Sequence, residues 1–202
     1  MKFYQKAALA LLATVPMLAT PVVINPSFET GPAPGVFTTL AGGDTSITGW
    51  TVNGDSIDYI GSYWVAADGS RSLDLNGNGQ GGIQQTVNGF DIGTLYTLTF
   101  MMSGNPDRDQ INTLRLSVSG IGFQDYTFDS SVATNANMGW VQYSFLFAAT
   151  ATTHTISFDS QDASAFGSAL DNVGITGEVP EPATYAMMGG GLIALAFLRR
   201  RK

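Results

Sequence analysis

Tyr96-Thr97-Leu98-Thr99-Phe100 places large apolar side chains at every second position, with threonines between them. Alternation of that period sends the rings and the leucine to one face of an extended chain and the hydroxyls to the other, the signature of a half-buried strand. The same pattern recurs on both sides of it. Ser56-Ile57-Asp58-Tyr59 and Leu73-Asp74-Leu75 come before; Leu114-Arg115-Leu116-Ser117-Val118, Val141 to Phe147 and His154-Thr155-Ile156-Ser157-Phe158 come after. Between them lie GSYW, ADGS, NGNGQGG, NGFDIG, SGNPDRD and SGIG, whose Gly, Asn and Pro supply turn angles. No window of a dozen residues between Val22 and Glu178 keeps a helical stripe. Many short strands joined by glycine-rich turns predict an all-β chain, a single β-sandwich of the jelly-roll kind.

The 202 residues leave room for one domain with end segments. MKFYQKAALALLATVPMLATP has the form of a secretory signal over residues 1–20: Lys2 and Lys6, an apolar run from Ala7, then small residues. The sandwich is expected over 22–177 and a distinct terminal segment over 178–202. From Val22 to Glu178 there are three arginines, no lysine and fifteen carboxylates, a net of −12. Phosphate backbones are repelled by such a surface, so nucleic acid is excluded as a partner. Sugars, neutral polymers and calcium stay open. The absence of cysteine excludes disulfides, thiol nucleophiles and thiolate metal sites, so an exported domain of this size has to hold together by its core.

The sequence shows no Gly-x-Ser-x-Gly elbow, no His-Glu-x-x-His and no phosphate-binding loop. His154, the single histidine, shares phase with Ile156 and Phe158 and reads as a half-buried strand-end residue. NGNGQGG, Asn76 to Gly82, reads as a flexible turn. Fifteen acids on a sandwich offer carboxylate pairs by chance, so a glycosidase pair is not legible. Asp107 and Asp109, flanking Arg108, read as solvated turn charges that could also line a rim with Asn105. Tyr63 and Trp64, in a glycine-bounded loop, are the candidates for stacking on a sugar ring, with a plug over the core as the alternative. Trp50 and Trp140 follow glycines at expected strand starts and read as buried. Glu29 opens the domain and Asp171 closes it; if the first and last strands run side by side, the two carboxylates meet, and a hard cation would neutralise them. Two unrelated surface acids are the alternative.

INPSFETG, the run from ITGWTVNGDSIDYI through GGIQQTV, GTLYTLTFMMSGNPD and ALDNVGIT together resemble the choice-of-anchor C family, related to plant cell-wall proteins with galactose-binding-like jelly rolls. The resemblance spans Ile24 to Thr176. It implies a galactose-binding-like sandwich and, since Asn-x-x-Phe-Glu and Asp-Asn-Val are similar to those of carbohydrate-binding modules, a structural calcium ion held by Glu29 and Asp171. Backbone near Asp68 and Gly69 would complete the shell.

Val179-Pro180-Glu181-Pro182, an apolar run over 183–198 and Arg199-Arg200-Arg201-Lys202 resemble a PEP-CTERM sorting signal. That resemblance implies recognition by an exosortase. The sixteen residues 183–198 make a helix of about 24 Å against a hydrocarbon core of about 30 Å, and Gly189-Gly190-Gly191 weakens it, so the segment is a poor permanent anchor and suits a transient stay in the inner membrane. The basic tail holds the C-terminus in the cytoplasm while the translocon delivers the body across. The expectation is an exported, non-enzymatic surface or matrix protein that associates with exopolysaccharide. A purely structural biofilm component and a polysaccharide-acting enzyme are the alternatives.

Overall fold

The computed structural model describes residues 20–177, with 189 and 190. The expected signal peptide, sorting motif, apolar helix and basic tail lie outside the described residues, apart from Thr20 and the helical pair Gly189 and Gly190. Among the described residues no helix is long and apolar enough to cross a membrane. Residues 19–178 form a compact unit.

Eleven strands build that unit: β1 Phe37–Ala41, β2 Thr51–Gly54, β3 Ser56–Ile60, β4 Ser72–Asp74, β5 Gly81–Asn88, β6 Leu95–Gly104, β7 Ile111–Val118, β8 Gly122–Asp129, β9 Val141–Ala148, β10 Thr153–Ser160 and β11 Ser168–Gly177. They form two antiparallel sheets, one ordered β1-β3-β4-β11-β6-β9 and the other β2-β5-β10-β7-β8. The all-β sandwich read from the alternation is the observed fold. Each alternating segment became a strand, and the inward phase is the one expected: Tyr96, Leu98, Phe100 and Met102 of β6 are buried, with Thr97 and Thr99 turned outward. Aromatic contacts cross the interior. Phe28 meets Trp50 at 5.3 Å, Trp50 meets Phe158 at 6.4 Å, and Phe158 meets Phe100 at 5.2 Å. Among the described residues both apolar clusters fall between Val23 and Ile175.

β1, β2, β5, β8 and β11 carried weaker signals. β2 and β5 are rich in Gly, Asn and Gln, and β8 shows solvent at most positions, so neither gives clean alternation. The turn read over Asn76 to Gly82 is not a flexible one. Asn76 is fully buried, its Nδ2 donates to the carbonyls of Asp162 and Ser164, and Gly81 and Gly82 already belong to β5. His154 is buried rather than half-buried. Its Nδ1 lies 2.7 Å from the Ser119 carbonyl and its Nε2 accepts from Ala151 N, which sets Nδ1 as the protonated nitrogen of a structural ring. Trp50 is buried as expected, but Trp140 is only half-buried and donates to the Val65 carbonyl at 3.0 Å.

Candidate functional site

A cleft of about 250 Å³ opens on the outward face of the six-stranded sheet. Strand period places its polar floor. Ile57 and Tyr59 point into the core, so Asp58 between them points out; Leu73 points in, so Ser72 and Asp74 point out. The β3–β4 register sets Asp58 directly opposite Asp74, a separation of about 5 Å between Cβ atoms. Phe37 and Thr39 of β1 form one wall, Asn105 and Asp107 beyond β6 another, and Ala165 and Phe166 a third.

Hydrogen bonds organise the cleft in a chain. The Tyr63 hydroxyl donates to Asp107 Oδ2. Asp107 N donates to Asn105 Oδ1 at 2.9 Å, and Asn105 Nδ2 donates to Asp74 Oδ2 at 2.7 Å. Asp74 Oδ1 also accepts from Asn76 N and Gly167 N. Burial pushes the Asp74 carboxyl up to about 8, against the pull of the Asn105, Asn76 and Gly167 donors and with a push from Asp58. Asp58 is raised too, chiefly by burial, with the Thr39 hydroxyl at 2.5 Å acting the other way. A Cβ at Gly167 would fall 2.5 Å from Asn76 Oδ1 and 2.7 Å from Asp74 Oδ1, so the floor of the cleft closes only over glycine.

Tyr63 is half-exposed and packs edge-on against Phe37 at 5.4 Å, while Phe37 is 45% exposed. Trp64 behaves differently. It is 4% exposed, donates from Nε1 to Ser72 Oγ at 2.8 Å, and packs in a small cluster with Ile60, Met138 and Ala169. The plug alternative describes Trp64, and the open ring is that of Tyr63. The structure thus brings Tyr63, Trp64, Asn105 and Asp107 to one place. Sequence reading missed Phe37, Asp58, Asp74 and Phe166. Asp58 and Asp74 each sit between apolar residues of an alternating strand, a visible signal, but their facing register is not encoded locally.

The three acids expected around a cation converge on a second feature, the loop 67–71. Asp171, fully buried, accepts from Ala67 N at 2.8 Å and Asp68 N at 2.9 Å on Oδ2, and from Asn172 N at 2.7 Å on Oδ1. A register shift in β11 between Asp171 and Gly174, with Asn172 at φ 48°, turns the carboxylate toward the loop. Glu29 grips the other half of the loop: Oε1 accepts from Ser70 N and Arg71 N, both at 2.7 Å, and Oε2 from Ser70 Oγ. Gly69 between them, at φ +68°, would put a Cβ 2.4 Å from Glu29 Oε1, so this approach also requires glycine. Asp68 accepts from Ser27 Oγ at 2.6 Å. Val173 N donates to the Pro26 carbonyl, so the first residues of the domain, although not a strand, do run beside the last strand. Among the described residues no three acid or histidine side chains are grouped to hold a metal. Burial pushes Asp171 up to about 7 against three N–H donors, with Asp68 adding repulsion.

Residues 21–176 match the family described as "Protein of unknown function (DUF642)". The chain belongs to the DUF642 family. Residues 178–202, which follow the DUF642 match, match the PEP-CTERM protein-sorting motif, which marks an exported, surface-directed chain. Halomucin of Haloquadratum walsbyi (strain DSM 16790 / HBSQ001) is 31% identical over 173 residues, 84% of this chain. The chain spans 2% of the length of that relative. Among solved structures, a family 16 carbohydrate-binding module shares the DUF642 sandwich at a TM-score of 0.50 and 14% identity, over 76% of this chain and 98% of the module. The module TmCBM61, solved with β-1,4-galactotriose, aligns at a TM-score of 0.45 and 17% identity over 76% of this chain and 96% of its own.

Proposed function

We propose that this chain is a non-enzymatic, exported carbohydrate-binding protein of the cell surface or extracellular matrix, that it holds a polysaccharide in the cleft beside Tyr63, and that an exosortase processes its C-terminal signal. The observation that carries the reading is the cleft. It joins open rings, Phe37 and Tyr63, to hydrogen-bonding groups on Asp58, Asn105 and Asp107. Rings accept the apolar face of a pyranose, while carboxylates and amides take its hydroxyls. The choice-of-anchor C assignment and the association with exopolysaccharide belong to this proposal, supported by the ordered sequence motifs and the sorting signal.

Glycan-array binding tests it. Saturable binding to at least one polysaccharide is expected, weakened about tenfold or more by Tyr63→Ala, the usual cost of deleting an aromatic anchor. Release of sugar fragments would favour an enzyme, and no binding to any glycan a purely structural role. Processing is read separately: the surface-exposed protein is expected to lack Arg199 to Lys202 by mass spectrometry, and an intact tail would overturn that part.

A structural calcium ion at the 67–71 lock is part of the same proposal. Glu29 and Asp171 are the anionic residues that would hold it, their oxygens being hard donors of the kind calcium takes. Its charge would favour ionised Asp171, which burial alone disfavours. Chelation is expected to lower the melting temperature by several degrees, and added calcium to restore it. An unchanged transition in chelator would remove the ion and leave the hydrogen-bonded lock.

A further inference from the structure

We propose that the cleft prefers a cationic amino sugar, a hexosamine unit with a free amine, over neutral or acidic sugars; the inference rests on the carbohydrate reading of the same cleft.

Among the described residues the lining carries three carboxylates, Asp58, Asp74 and Asp107, and no lysine, arginine or histidine. Asp74 has both oxygens taken by Asn105, Asn76 and Gly167 and serves as floor. The other two are differently placed. Asp58 uses Oδ1 for the Thr39 hydroxyl and Asp107 uses Oδ2 for the Tyr63 hydroxyl; among the described residues neither Asp58 Oδ2 nor Asp107 Oδ1 has a donor. Half-buried Asp58 and exposed Asp107 at the rim each keep one carboxylate oxygen without compensating charge. A sugar hydroxyl can donate to them, but an ammonium donates with charge, and such bonds are roughly twice as strong. The rings act in the same direction, since Tyr63 and Phe37 line the cleft and aromatic rings attract cations as well as pyranose C–H groups.

The rest of the surface reinforces the sign. Of the three arginines between Val22 and Glu178, Arg115 is spent on Asp125 at 2.7 Å and Arg71 lies over the Tyr59 ring at 5.5 Å. Arg108 follows Asp107 in the exposed turn and is not among the lining residues. A uronic acid or sulfated polymer would meet a formal net of −12 over 22–178, with no cationic side chain among the described residues of the lining. The burial that raises Asp58 above the ordinary aspartate range is what a bound ammonium would offset.

The test compares two hexamers of one backbone, glucosamine and N-acetylglucosamine, by calorimetric titration of the exported chain at about pH 6, where the amine is protonated. A neutral β-1,4-galactan oligomer and an oligogalacturonate complete the set. The free-amine hexamer is expected to bind about tenfold tighter than the acetylated one, and the galacturonate weakest of all. In the Asp58→Asn/Asp107→Asn double variant the ratio of the two hexamers is expected to fall toward one. Asp129→Asn, an exposed change on β8 of the other sheet, is expected to leave the ratio as it is. Equal binding of the two hexamers, or a preference that survives the double variant as general attraction to an acidic surface, overturns the inference while carbohydrate binding stands. Failure of every sugar to bind removes the carbohydrate reading and this inference with it.

Discussion

Asp171→Ala is expected to destabilise residues 20–177 by about 3–5 kcal/mol in urea-induced unfolding. The side chain is fully buried and accepts from three backbone N–H groups, those of Ala67, Asp68 and Asn172. Alanine would leave these three part-buried donors without an acceptor, and each orphan costs roughly 1–3 kcal/mol where water does not reach it. Against a typical stability of about 5–15 kcal/mol, one substitution would remove a large share. Glu29→Ala, at the exposed end of the same loop, is expected to cost only about 1–2 kcal/mol, because water reaches the donors it abandons. The contrast matters more than either value. Equal and small effects at both positions would show that the 67–71 loop is not what ties the domain's ends together.

The second large effect is a loss of stability with rising pH, opposite to the acid denaturation expected of most carboxylate-rich proteins. Asp74 is held at about 8 when folded, against about 3.9 in an unfolded chain. Between those values the folded protein binds a proton that the unfolded chain has lost, so stability falls as pH rises. Its contribution is complete below about pH 4 and is lost as pH passes through 8, at up to about 1.4 kcal/mol per pH unit. Asp171, pushed up to about 7, and Asp58 and Asp162, all raised chiefly by burial, push in the same direction. Asp125, lowered by Arg115, and Asp129, lowered by Ser131, act the other way, but both are exposed and their effect is complete once pH exceeds the ordinary carboxylate range. Melting temperature should therefore decline from pH 5 to pH 9, with a flatter profile for Asp74→Asn. A wild-type profile that rises over this range would mean that Asp74 is ionised and paired.

Much of the fold was legible because β6, β7, β9 and β10 alternate cleanly, and half of the cleft was legible because Tyr63, Asn105 and Asp107 sit in glycine- or proline-marked loops. The other half lies in pairings that no local pattern carries. Asp58 and Asp74 look like ordinary outward residues of two strands until the register sets one opposite the other. Asn76, Asn105 and Gly167 then close around Asp74, converting an expected solvent-facing acid into a buried one. Trp64 was ambiguous for a related reason: a tryptophan in a loop stacks on a ligand or seals a core, and only the position of Ser72 and Met138 beneath it decides. Asn76 misled most, since a polar residue among glycines reads as solvent-exposed, whereas here its amide pins the 162–164 loop.

Carbohydrate binding rests on one surface, the outward face of β1, β3 and β4 with Tyr63 at its rim. Residue-resolved NMR of residues 20–177 during titration with a binding oligosaccharide tests this most directly. Saturable shifts are expected at Phe37, Asp58, Tyr63, Asn105, Asp107 and Phe166, with β2, β5 and β8 of the other sheet unchanged. Shifts confined to that other sheet would contradict that placement.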